Sequence, residues 1–185
     1  MGIESLQGRL FVALELPVDV REELMLIASG VPGAHWTEEE NLHLTIRFIG
    51  EVDGVKARDL ATALRRIEAA PFTLTLSGIG FFPPRGETEV LWMGVEKSEP
   101  LEHLHQRVDT TATRLGMQHD RKRWVPHVTL ARLHDAPKTR LQWFAAGQNL
   151  WKSRPFEVNA MVLMSSTLRP SGAVYRREEV FPFRS

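Results

Sequence analysis

Residues 9–17, RLFVALELP, place Leu10, Val12, Leu14 and Leu16 at alternate positions and end at Pro17, a pattern that predicts a strand. A helix over 18–29 follows, closed by Gly30 and Pro32. In NLHLTIRF, residues 41–48, Leu42, Leu44, Ile46 and Phe48 make an apolar face, while His43, Thr45 and Arg47 alternate with them. That strand stops at Gly50. GVKARDLATALRRIEAA spaces Leu60, Leu64 and Ile67 as a helix does, PFTLTLSGIG alternates as a strand, and FFPPRG predicts a turn-rich connection.

The order then begins again. Residues 89–96 predict a strand, and 99–115 a helix with Leu101, Leu104, Val108, Ala112 and Leu115 inward. WVPHVTLAR, residues 124–132, is a strand that again sets His127 and Thr129 two apart. PKTRLQWFAAGQNL predicts a helix, and strands over 155–164 and about 173–181 close the chain. So β-α-β-α-β occurs twice. The two histidines are 84 positions apart, and so are the strands beginning at Pro71 and Pro155. A single two-lobed α+β domain is expected, its pseudo-repeats spanning about 1–85 and 86–185.

With 43% hydrophobic and 25% charged residues, the 185-residue chain suffices for one well-buried domain. No apolar run of about eighteen residues is present to span a bilayer. The start of the sequence lacks a secretory signal, and Leu6 stands where a myristoylation signal after Gly2 needs Ser or Thr. Absence of cysteine excludes disulfides, thiol nucleophiles and cysteine-based zinc sites. A cytoplasmic protein is the default expectation. The neutral total hides an asymmetry: residues 1–95 carry 8 Lys/Arg against 14 Asp/Glu, and residues 96–185 carry 15 against 9. Arg121, Lys122 and Arg123 lie directly before the second His-x-Thr, which suits either a solvated face or a positive wall beside an anionic substrate.

Two strands with imidazole and hydroxyl on one face call for proton transfer. If the halves face each other, both polar faces line one groove. Imidazoles of ordinary pKa about 6.5 can then hold opposite protonation states, one taking a proton from water and the other giving one to a leaving oxygen. Thr45 and Thr129 point the same way as the histidines and can donate to an oxyanion, which fits displacement at a phosphodiester. Arg132 can clamp a phosphate, but strict alternation turns it away from His127 and it needs a strand end or a bulge to reach the site; Arg47 has the right parity and is the alternative. Phe11 shares a face with Arg9 and Ala13 and is either a platform for a base or a core aromatic under a helix; Trp92 and Trp124 read as core. No metal is expected, because His103 and His105 do not share a helix face and HExxH is absent. P-loop and G-x-S-x-G elements are also absent.

The tetrads HLTI and HVTL, with RLFVALELP, NLHLTIRFIGEV, GIGFFPPRG before VLWMGV, and HVTLAR, resemble the two-histidine phosphoesterases over nearly the whole chain. The similarity is to their bacterial and archaeal RNA 2′,3′-cyclic phosphodiesterase branch, historically called 2′-5′ RNA ligases. This resemblance implies a bilobal fold with two antiparallel sheets flanking a central groove. It also implies cofactor-free, metal-free opening of an RNA terminal 2′,3′-cyclic phosphate to a 2′-phosphate, with ligation as the reverse. It makes His43 the proton donor, His127 the proton acceptor, and Thr45, Thr129 and Arg132 phosphate-binding. RNA 3′ ends are the expected partner of a monomer; a small cyclic nucleotide as substrate, or non-catalytic binding of RNA ends, are the competing expectations.

Overall fold

A computed structural model describes residues 9–85, 88–119 and 121–185; the readings on Gly2, Leu6 and Gly86 lie outside them. Strands are β1 (Arg9–Glu15), β2 (Ala34–Trp36), β3 (His43–Glu51), β4 (Phe72–Leu74), β5 (Leu76–Arg85), β6 (Thr88–Val95), β7 (His127–His134), β8 (Phe156–Val158), β9 (Ala160–Arg169) and β10 (Gly172–Pro182). Helices are α1 (Val18–Ile27), α2 (Gly54–Arg65), α3 (Glu99–Arg114) and α4 (Lys138–Gly147). Local chemistry sets their ends. Asp53 caps α2 by accepting from the Lys56 N–H at 2.8 Å, and Ser98 caps α3 by accepting from the Leu101 N–H at 3.3 Å. Leu101, Leu104, Val108 and Ala112 form the buried stripe of α3, as their spacing predicts.

The class is α+β, as expected, and all the strand pairs are antiparallel. Eight strands form one large sheet in the order β10-β9-β1-β3-β7-β6-β5, with β2 added on β7. Its two arms, the β3 sheet (β10-β9-β1-β3) and the β7 sheet (β7-β6-β5), meet at the pair Leu44 with Val128, both fully buried. The halves of the chain exchange strands: β5 pairs with β6, and β9 pairs with β1. Short β4 and β8 form a small sheet of their own, Phe72 against Val158 and Leu74 against Phe156. The main core fills the space between the sheets and the helices, with Leu10, Val12, Leu14, Ile46, Leu91 and Met93 contributed by β1, β3 and β6.

Two readings of the pattern need correction. FFPPRG is no connection up to its arginine, because β5 continues through Phe81 and Phe82, paired with Leu91 and Val90, to Arg85. It tolerates its prolines because it is the outermost strand of its sheet and its pairing with β6 is irregular between Phe82 and Arg85. The single strand expected over 155–164 is two, because β8 joins β4 before the chain crosses into the large sheet as β9. Strand β2 was not foreseen; three residues are too few for a period to show.

Leu44→Ala removes the side chain at the one backbone bridge between β3 and β7 among the described residues. A loss of about 2–5 kcal/mol in unfolding free energy, measured by urea titration, is expected for such a cavity.

Candidate active site

Leu44 and Val128 turn into the core, so their neighbours project to the opposite, groove face. Antiparallel register about the bridge sets Thr45 beside His127 and His43 beside Thr129. Both imidazoles are held in the same way. Nδ1–H of His43 donates to the Asn41 carbonyl at 2.6 Å, and Nδ1–H of His127 to the Val125 carbonyl at 2.8 Å, each two residues back. The neutral rings therefore keep Nε2 as acceptor. At His43 that nitrogen lies 3.0 Å from the Thr45 hydroxyl, which donates to it; once the ring is protonated the direction reverses.

The bulge that Arg132 needs is present. Trp92 of β6 pairs with Thr129 and Leu91 with Ala131, leaving Leu130 as the extra residue. Leu130 and Ala131 both point into the core, and Arg132, opposite Val90, returns to the face of His127 and Thr129. The same event occurs in β3, where Ala13 pairs with Thr45 and Val12 with Arg47, so that Ile46 is extra. Ile46 and Arg47 turn inward together. Parity thus fails for Arg47, which is buried at 6% exposure: its guanidinium donates to Asp109 at 2.7 Å, to the Gln118 carbonyl at 2.7 Å and to the Phe48 carbonyl. It cannot clamp a phosphate in the groove. Phe48, assigned by alternation to the apolar face, is instead on the groove side and 67% exposed, at the position corresponding to Arg132.

Phe11 is on the groove face but fits neither expectation. It is 3% exposed, beneath His43 (ring centroids 5.1 Å), Phe48 (6.0 Å) and Tyr175 (5.2 Å), and among the described residues its cluster is built from strands alone. It is the floor under His43 rather than an open platform. Trp124 is partly buried as expected, its indole donating to the Thr45 carbonyl at 3.4 Å and stacking on His105 at 4.0 Å. Trp92 lies on the groove side instead, 6.0 Å from the His127 ring, and its ring occupies the space a Cβ at Gly80 would fill. Phe82 meets His127 edge-on at 4.7 Å, and Tyr175 meets His43 edge-on at 5.2 Å. Alternation from Phe11 and Trp92 was the available signal for this wall, but Tyr175 and Phe82 join it only through strand exchange.

Those rings set the electrostatics. Burial pushes His43 below the usual imidazole value; the Asn41 carbonyl opposes this, a charge on His127 adds to it, and Glu15 opposes it. Burial likewise lowers His127, against the pull of the Val125 carbonyl. A proton on His127 disfavours one on His43, so the site favours one proton at a time. Among the described residues no three His, Asp or Glu side chains converge as metal ligands, and no helix is long and apolar enough to cross a membrane.

Paired imidazoles with paired hydroxyls on one face of two joined sheets define a two-histidine phosphoesterase. A family model described as the 2'-5' RNA ligase superfamily matches residues 22–169. A Thermotoga maritima protein named RNA 2',3'-cyclic phosphodiesterase is 32% identical over 176 residues, 91% of either chain. One of the same name from Archaeoglobus fulgidus is 33% identical over 179 residues, 94% of this chain and 99% of its own. The crystal structure of E. coli LigT with 3'-AMP is similar at a TM-score of 0.78 and 26% identity, covering 97% of this chain and 99% of that one. The chain belongs to the 2'-5' RNA ligase superfamily.

Because burial depresses His43 and His127 in the folded state, an unfolded chain takes up protons first as pH falls. Their contribution to stability is whole above about pH 6.5, the unfolded value, and is lost as pH drops through the depressed folded values. Urea unfolding at pH 7.5 and 5.5 should show this fall, and a His43→Gln, His127→Gln double variant should show a smaller one.

Proposed function

We propose that this chain hydrolyses RNA ends bearing a 2′,3′-cyclic phosphate, opening the ring to a 2′-phosphate and a free 3′-hydroxyl. The observation that carries this reading is the ladder of Thr45 beside His127 and His43 beside Thr129, with each histidine's Nδ1 committed to a carbonyl. Relatives along almost the full chain, named RNA 2',3'-cyclic phosphodiesterase, support the substrate.

His127, its pKa held low by burial, is neutral and takes a proton from water through Nε2 as the water oxygen attacks phosphorus. The bond from phosphorus to O3′ breaks, and Nε2–H of protonated His43 supplies the proton that O3′ needs. A cyclic phosphate is an anion, so its arrival raises the depressed His43 toward protonation just where the acid is required. Thr45 and Thr129 donate to the non-bridging oxygens, and Arg132, bulged onto the same face, holds the phosphate from the side. A 5′-hydroxyl attacking phosphorus in place of water, with the same departure of O3′, gives a 2′-5′ linkage, which is ligation. Phe48, exposed where Arg132 stands in the other sheet, replaces Phe11 as the platform for a base. The halves 1–85 and 86–185 act as one two-lobed unit, a monomer in the cytoplasm that uses neither metal nor cofactor. An open groove carrying Arg132 and an exposed ring suits an RNA end better than a small enclosed cyclic nucleotide, and non-catalytic binding would not need two titratable groups.

Incubation with oligoribonucleotides ending in 2′,3′-cyclic phosphate, with EDTA present, should yield the 2′-phosphate at an undiminished rate. A 3′-phosphate product reverses the acid and base roles, and activity lost to EDTA and restored by a divalent ion sinks the metal-free route. His43→Ala and His127→Ala should each slow the chemistry by roughly 10²- to 10⁴-fold. The bell of kcat/KM against pH should centre below about 6.5, since both free-enzyme histidines titrate below that value. Phe48→Ala should raise KM by about tenfold, the worth of one stacked base, while kcat stays near native.

A further inference from the structure

The strand missed by the sequence, β2, occupies the same edge of β7 as β3 does, further along. Leu44 pairs with Val128, the Thr37 N–H donates to the Leu130 carbonyl at 2.8 Å, and Trp36, His35 and Ala34 pair with Ala131, Arg132 and Leu133. Residues 38–42, carrying a 3-10 turn over Glu39–Asn41, loop out between the two segments. Trp36 and Ala34 turn toward the core, Trp36 reaching Phe144 of α4 at 5.7 Å. His35 therefore shares the groove face with Arg132, and both are exposed. The groove has three rungs: Thr45 with His127, His43 with Thr129, and His35 with Arg132.

Only the first two rungs hold the groups that the reaction uses for proton transfer. The third lies about 7 Å beyond the second, two strand steps once the bulge at Leu130 is discounted. Neither Arg132 nor His35 has a hydrogen-bond or ion-pair partner among the described residues. The next side chain on that face, His134, is different: Asp135 answers it at 3.9 Å. An arginine and an imidazole side by side, neither of them ion-paired among the described residues, suit a phosphate oxygen pair.

We propose that His35 and Arg132 form a second phosphate subsite, which takes the internucleotide phosphodiester one residue upstream of the reacting cyclic phosphate. Arg132 stands between the two phosphates, and His35 contacts only the upstream one. The inference rests on the hydrolase reading above and narrows its substrate to a strand end of at least two nucleotides, preferred over a free cyclic mononucleotide.

Steady-state kinetics of the full chain on three substrates test this: a 2′,3′-cyclic mononucleotide, an oligoribonucleotide ending in 2′,3′-cyclic phosphate, and the same oligomer with an uncharged methylphosphonate at its last linkage. Native enzyme should show a higher KM for the mononucleotide and the methylphosphonate than for the normal oligomer. His35→Ala should raise KM for the normal oligomer about tenfold, the loss of one charge-assisted hydrogen bond, and should respond less to the methylphosphonate than native enzyme does. Its kcat and KM on the mononucleotide should match native, which also reports an intact fold, and His35→Asn, which keeps a donor, should recover part of the loss. An equal effect of His35→Ala on all three substrates, or none on any, overturns the subsite while leaving the hydrolase reading in place. Native enzyme inactive on every substrate overturns the hydrolase reading and this inference with it.

Discussion

A single backbone bridge, Leu44 to Val128, joins the two sheets, and the groove chemistry hangs on it. Both side chains must be buried for the bridge to hold, and burying them forces the residues on either side to the other face. Hydrophobic burial on one side of two strands is thus what puts two imidazoles and two hydroxyls together on the other. The strands diverge beyond the bridge, and the gap between them becomes a groove. Part of the space beside β7 is refilled by β2, which sets His35 opposite Arg132.

Behind the groove, Arg47 ties this arrangement to the helices. Its three nitrogens reach Asp109 on α3, the Gln118 carbonyl in the segment leading toward His127, and the Phe48 carbonyl next to the bulge. His119 shares Asp109 at 3.2 Å. Removing either member of the Arg47–Asp109 pair leaves a charge without its partner in a place where water reaches poorly, which is why such pairs are costly to break even when they add little net stability. The corresponding place in β7 is Ala131, so only one of the two histidine-bearing strands is clamped in this way. The asymmetry matches the chemistry: one strand offers an exposed ring, Phe48, and the other an exposed cation, Arg132, at equivalent positions.

Aromatic rings pack around each histidine, and their effect is electrostatic as much as steric. Phe11 and Tyr175 at His43, and Phe82 and Trp92 at His127, displace water and push both imidazoles toward the neutral form. An anion in the groove is then the natural source of the missing stabilisation for a proton. Protonation of one histidine and binding of a phosphate become linked, because each favours the other.

Much of this protein was legible from residue order alone. Alternation identified β1, β3 and β7 and the face carrying His43, Thr45, His127 and Thr129, because side chains in an unbroken strand must alternate. Helical spacing identified the buried stripe of α3, and the shared 84-residue offset pointed to equivalent halves. Arg47, Phe48 and Arg132 were another matter. Their faces depend on the bulges at Ile46 and Leu130, and a bulge exists only as a mismatch between a strand and its partner, so one strand's own pattern does not contain it. The burial of Phe11 under Tyr175 and the placing of His35 beside Arg132 likewise required strands distant in sequence to pair. Residue order determined which chemistry the chain carries, since local alternation is a covalent property of the backbone. Tertiary pairing alone decided which cation and which ring lie on the groove face.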